Sequence, residues 1–247
     1  MLEDSENSMT SYALRLNYSY KSRYLLTATI RRDGSSKFTK DNRWGTFPSA
    51  AAAWRISEEP FMQKTSNWLS NLKLRLSFGV TGNNTGIKDY DTQQTLSSSI
   101  FYPFGDKYST GYTASSIVNK DLKWETSTEY NAGIDFGFWR GRVNGSFEVY
   151  WNTTKDLLMK SRVQSSSGYL YQYQNFGTTE NTGFELSSNI AIIETKNLSF
   201  NGNFNISYNK NKIKKLTNGN MYQSSGFAGS TISDQDDFYV KEGGKIA

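Results

Sequence analysis

The chain has 247 residues, 15% of them aromatic, with 16 tyrosines, three prolines and a formal net charge of +5. It has no cysteine and no histidine, which removes disulfides, thiol chemistry, the usual general base and the commonest transition-metal ligand. Its aromatic content argues against disorder, the lack of a basic stripe argues against nucleic-acid binding, and no apolar run approaches the roughly 20 residues of a membrane helix.

Successive residues of a strand point to opposite faces, so an alternating sequence marks a strand with one apolar and one polar side. Residues 12–20 place Tyr12, Leu14, Leu16, Tyr18 and Tyr20 against Ala13, Arg15, Asn17 and Ser19. Residues 23–31 continue the pattern with Tyr24, Leu26, Ala28 and Ile30 on the apolar side. Near 47–57 the more apolar face is Ala50, Ala52, Trp54 and Ile56, and a helical turn is expected around 60–69. Residues 72–81 set Leu72, Leu74, Leu76, Phe78 and Val80 against Lys73, Arg75, Ser77, Gly79 and Thr81. The longest comb is 121–138, where Leu122, Trp124, Thr126, Thr128, Tyr130, Ala132, Ile134, Phe136 and Phe138 share an uncharged face. Shorter combs follow at 143–151 and 184–192. The last runs over 197–209, with Leu198, Phe200, Phe204, Ile206 and Tyr208 on one parity and five asparagines on the other. About eight strands are expected in all.

The connections alternate in length. Residues 21–23, 139–142 and 194–196 are short, whereas 33–46, 83–120, 159–176 and everything after 210 are long and rich in Gly, Ser, Asn and Tyr. Tight turns at one end and long loops at the other describe an all-β, antiparallel, up-and-down transmembrane barrel segment with long extracellular loops. Tyr12, Tyr20, Tyr24, Trp54, Trp139 and Tyr208 sit towards strand ends, as interfacial girdles require. The alternative is a soluble β-rich glycan-binding or adhesin module.

Several motifs invite a local reading. Asp33-Gly34 suits a turn with positive φ, Gly79 and Gly82 suit turns or bends, and Glu58-Glu59-Pro60 suits a solvated turn. The serine clusters 97–99 and 165–167 have no histidine to activate them, and no Gly-Lys-Ser/Thr phosphate cradle occurs. Asp234, Asp236 and Asp237 lack the spacing of a calcium loop. No catalytic residue, metal ligand or cofactor is expected. The loop 83–120 is long enough to be functional, and its Tyr102, Tyr108 and Tyr112 are candidate substrate or partner contacts. Tyr169, Tyr171 and Tyr173 in the next long loop are the second set and would share a face if extended.

The stretches RRDGSSKF (31–38), NRWGTFPSAAAAWRISEEPFM (42–62), LKLRLSFGVTGN (72–83), DLKWETSTEYNAGIDFGF (121–138) and NTGFELSSNI (181–190) resemble the barrel of SusC/RagA-type TonB-dependent outer-membrane receptors. The resemblance covers most of residues 11–215. It implies a plugged barrel of about 22 strands in the outer membrane, importing glycans or peptides under a SusD-like surface lipoprotein. The partners so implied are outer-membrane lipid, that lipoprotein, the substrate, and the TonB complex through the plug region. Nothing in residues 1–10 resembles the family's signal peptide or plug, and KEGGKIA is not a terminal aromatic strand. Residues 1–247 are therefore expected to be a partial barrel domain, truncated at both ends and lacking its plug.

Overall fold

The computed structural model describes residues 6–114, 116–169, 171–217, 221–222 and 239–244. The strands in chain order are β1 (Met9–Tyr20), β2 (Tyr24–Ser35), β3 (Trp44–Arg55), β4 (Leu69–Asn83), β5 (Leu96–Phe104), β6 (Lys107–Ala114) and β7 (Glu125–Phe138). After them come β8 (Val143–Lys155), β9 (Leu158–Arg162), β10 (Tyr171–Asn175), β11 (Thr178–Glu194), β12 (Ser199–Lys215), β13 (Met221–Tyr222) and β14 (Tyr239–Val240). Eight long strands form one antiparallel sheet in the order β1-β2-β3-β4-β7-β8-β11-β12. The hairpins β5–β6 and β9–β10 stand apart as two-stranded sheets within the long connections.

The register carries each comb into the next. One cross-sheet row reads Tyr20, Tyr24, Trp54, Leu74, Ile134, Phe147, Leu186 and Ile206. A neighbouring row on the other face reads Ser19, Leu25, Ala53, Arg75, Gly133, Glu148, Glu185 and Ser207. A slip of one residue anywhere would exchange the faces, so the apolar pattern fixes the pairing. The apolar side is bare: Leu14 and Leu16 are 70% and 69% exposed. Its upper border runs from Tyr12 on β1 to Tyr208 on β12, and Tyr208 lies in the row of Tyr18. The border thus drops six residues, from the level of residue 12 to that of residue 18. That is roughly 20 Å along strands spread over roughly 34 Å of sheet, a tilt of about 30°. A band of near-constant height crossing tilted strands is what lipid demands.

Turns and loops segregate by end. Residues 21–23, 56–68, 139–142 and 195–198 close one end, and the long connections lie at the other. Lys21 and Ser22 both take positive φ, as the central residues of a type I′ turn do, and the Arg23 N–H closes that turn on the Tyr20 carbonyl at 3.0 Å. The expected helical turn is present as 3₁₀ segments Ile56–Glu58 and Pro60–Thr65. At the loop end β3 and β4 stop pairing beyond Ser49 and Gly79. Phe47 fills the gap, together with Phe38, Ile87, Leu122, Trp124 and Leu158.

Several expectations are corrected. The comb of 121–138 enters the sheet only at Glu125, and Leu122 and Trp124 leave the lipid face to be buried under the loops. Two hydrogen bonds bend the chain there: Asn175 Nδ2 donates to the Lys123 carbonyl at 2.8 Å, and the Trp124 indole to the Arg43 carbonyl at 3.0 Å. The first long loop is shorter than expected, because β2 extends to Ser35 and β3 begins at Trp44. Gly34 is a strand residue with no positive φ, opposite Trp44, whose ring would lie 2.9 Å from an added Cβ. Gly79 and Gly82 are likewise inside β4, and a side chain at Gly82 would overlap the Phe47 ring. Asp234, Asp236 and Asp237 lie outside the described residues.

Candidate functional site

The polar face of the sheet carries the charge. Lys73 and Arg75 on β4, Asp135 on β7 and Glu148 on β8 all point to this side. Lys73 faces Asp135 directly and bonds it at 3.0 Å. Arg75 faces Gly133, and the missing side chain lets its guanidinium cross β7. There it donates to Asp135 at 2.8 Å and to Glu148 at 2.6 Å. Asn131 adds a hydrogen bond to the second Glu148 oxygen at 3.3 Å. Tyr150 repeats the device: it faces Gly183, lies across it, and its hydroxyl donates to Asn209 Oδ1 at 3.3 Å.

Beside this network lies a polar groove of about 380 Å³ lined by Glu129, Asn131, Glu148, Tyr150, Asn152, Asn181, Glu185 and Asn209. Glu129 and Glu185 have no ion-pair partner among the described residues. Paired charges and amides are satisfied in water but not in hydrocarbon, so this face lines a hydrated lumen.

At the turn end a further carboxylate matters. Glu59 is buried and accepts three donors: the Tyr24 hydroxyl at 2.6 Å, the Trp54 indole at 3.0 Å and Arg23 at 3.3 Å. The hydroxyl of Tyr24, then the indole of Trp54, hold its carboxyl below the ordinary glutamate range, against the opposing effect of burial. The expected solvated turn is therefore a polar anchor tying β2, β3 and their neighbouring connection together. Trp54 five residues before Glu59 was the available signal, since the indole N–H of a partly buried tryptophan at a strand end needs an acceptor.

The loop end holds the predicted aromatics, in two different settings. In the β5–β6 hairpin Tyr108 and Tyr112 share a face, joined by Phe101, which pairs with Thr110. Tyr102 lies on the other face with Phe104. Tyr108 and Tyr112 are 81% and 71% exposed, and Tyr102 is exposed as well. In the second set, Tyr171 and Tyr173 share one face of β10, opposite Arg162 and Lys160. Tyr173 packs against the loop core, and Lys160 Nζ stands 4.9 Å over the Tyr171 ring. Tyr169 precedes the strand, and its backbone N–H donates to Ser167 Oγ at 3.3 Å. The β9–β10 hairpin is tied to the segment leading into β7: Asn119 donates to the Tyr173 carbonyl and Gln172 to the Val118 carbonyl. The structure thus splits the six tyrosines into a solvent-facing hairpin set and a second set in which Tyr173 packs on the loop core while Tyr171 stays exposed beneath Lys160.

Residues 3–239 match the family described as TonB dependent receptor-like, beta-barrel. The chain is 43% identical over 249 residues to the TonB-dependent receptor SusC of Bacteroides thetaiotaomicron, a match covering 98% of this chain and 23% of that protein. It is 40% identical over 215 residues to the TonB-dependent receptor P3 of Formosa agariphila, covering 87% of this chain and 21% of that one. Among solved structures it superposes on the RagAB peptide transporter with a TM-score of 0.77 and 32% identity, covering 85% of this chain and 23% of that one. The chain therefore spans about a quarter of the length of the relatives it matches.

Proposed function

This chain belongs to the TonB-dependent receptor β-barrel family, and from that premise we propose that it forms part of the wall and extracellular loops of an outer-membrane importer of the SusC/RagA type. The observation that carries the reading is the two-faced, tilted sheet, with an exposed apolar band on one side and the Lys73-Asp135-Arg75-Glu148 network on the other. Such a wall conducts a polar solute past fixed dipoles. It binds substrate without converting it. A soluble adhesin would have to cover the apolar band, whereas a bilayer covers it by itself.

The substrate class is glycan or peptide, and RagAB is a peptide transporter. The projecting β5–β6 hairpin supplies the recognition surface for the substrate or for a SusD-like lipoprotein lid. Aromatic faces stack on sugar rings or side chains, and Tyr108, Tyr112 and Phe101 present such faces together. Energy reaches the barrel from the TonB complex through a plug region. The domain itself is a partial barrel within a larger closed one, which agrees with β1 and β12 each pairing on one side only among the described residues. In the full-length receptor, Tyr108→Ala with Tyr112→Ala is expected to lower substrate uptake or lipoprotein retention while barrel assembly stays normal. Uptake by whole cells and co-purification of the lipoprotein are the measurements. Normal values for both would remove this hairpin from the recognition surface.

A further inference from the structure

Beyond the Tyr208 girdle β12 continues with Lys210, Lys212, Lys214 and Lys215, all exposed. Lys210 pairs with Thr182 and Lys212 with Glu180, so both lie on the face of Phe204, Ile206 and Tyr208. Plain alternation would send Lys215 to the lumen. A bulge opposite Thr178/Thr179 prevents this: Thr178 pairs with Lys215 and Thr179 with Ile213, leaving Lys214 as the extra residue. Lys215 therefore turns outward with Lys212, and Ile213 turns into the loop core with Phe176 and Leu216. Lys155 on β8 also faces Thr178 and joins the same side. Against these lysines stands Glu180, which takes Lys214 at 2.6 Å, the only ion pair of the group among the described residues. Glu242, nearby, is held by the Leu216 backbone N–H at 2.8 Å.

We propose that Lys155, Lys210, Lys212 and Lys215 form a docking site for the phosphate groups of an outer-leaflet glycolipid, whose acyl chains lie on the apolar band below. Position argues for this occupant. The lysines begin one row past the apolar border, at the loop end, on the side that faces lipid. Alternate residues of a strand are about 7 Å apart, so flexible ammonium groups on Lys210 and Lys212 converge on one phosphate. The bulge that turns Leu216 into the loop core beside Ile213 and Phe176 also adds Lys215 to the outward-facing lysines. A surface that meets anionic headgroups gains attraction from each added lysine.

The proposal rests on the outer-membrane location and the facing of the strands, and transport activity does not enter it. Its test uses the full-length receptor in neutral detergent, with bound lipid measured by native mass spectrometry. The probes are diphosphoryl lipid A, the same lipid dephosphorylated, and phosphatidylcholine. Diphosphoryl lipid A is expected to be retained in preference to the other two, and retention is expected to fall with added salt. Lys210→Gln with Lys212→Gln and Lys215→Gln is expected to weaken retention by on the order of tenfold or more. The corresponding arginine triple keeps it, and Lys196→Gln at the opposite end leaves it unchanged. Equal retention by wild type and the glutamine triple, or of the phosphorylated and dephosphorylated lipid, overturns the proposal. So does loss of a co-purifying protein with lipid retention intact, which would assign the patch to that protein. Failure of uptake in the hairpin variant of the preceding section would leave this result untouched.

Discussion

Glu59 shows how one side chain organises a connection. Its two oxygens draw donors from β2, from β3 and from the residue preceding β2, and these hold the 3₁₀ segments against the strand ends. A carboxyl whose folded value is depressed contributes stability that is present above its unfolded value and is lost as pH falls through the folded one. The 56–68 connection is therefore expected to loosen at acid pH, below the ordinary glutamate range. Amide hydrogen exchange of residues 56–65, followed down a pH series in the full-length receptor, measures this. Glu59→Gln accepts less well and cannot hold charge, so its exchange should start faster and respond less to pH across that window. An unchanged acid response in the glutamine variant would show that another group governs the connection.

At the scale of the element, each strand is decided by what opposes it. Four strand glycines face a large residue directly: Gly34 faces Trp44, Gly133 faces Arg75, Gly145 faces Phe136 and Gly183 faces Tyr150. In each pair the large group lies across the glycine, and an added Cβ would press on it. A glycine inside a strand marks close approach as often as it marks a bend, and here the approach is of a neighbouring side chain. Facing itself is tested on β12. Phe204 pairs with Ser188 in the apolar rows and Asn203 with Asn189 in the polar ones. Phe204→Arg should cost about 2–4 kcal/mol near the bilayer midplane, and Asn203→Arg much less, by chemical unfolding of the receptor in lipid. Equal costs would reverse or abolish the assigned faces.

For the whole molecule the decisive fact is an open sheet. Among the described residues β1 bonds only β2 and β12 only β11 within the eight-stranded sheet. Unpaired backbone groups in hydrocarbon cost several kcal/mol each. Residues 1–247 produced alone are therefore expected not to form a heat-modifiable monomeric barrel in detergent. A folded band on cold electrophoresis that shifts on boiling would contradict this. The loops follow a different logic: a small aromatic core of Phe38, Phe47 and Trp124 fixes them above the sheet, leaving the β5–β6 hairpin to project.

The sequence by itself determined the strands, their faces and the end at which the loops lie, because lipid and water impose a period of two that survives in single residues such as Phe204 and Asn203. It also carried the family motifs. What it did not carry were contacts between residues distant along the chain. Glu59 looked solvated because its donors, Tyr24 and Trp54, come together only when β2 pairs with β3. Leu122 and Trp124 continue a comb by parity, yet the chain turns out of the sheet at Glu125 to meet Phe38 and Leu158. Tyr102 left the company of Tyr108 and Tyr112 through hairpin register, and the bulge at Lys214 turned Lys215 outward. Alternation is local and can be counted; which side chain fills a gap, and where a ladder gains an extra residue, depends on the partner strand, so the tertiary structure decided it.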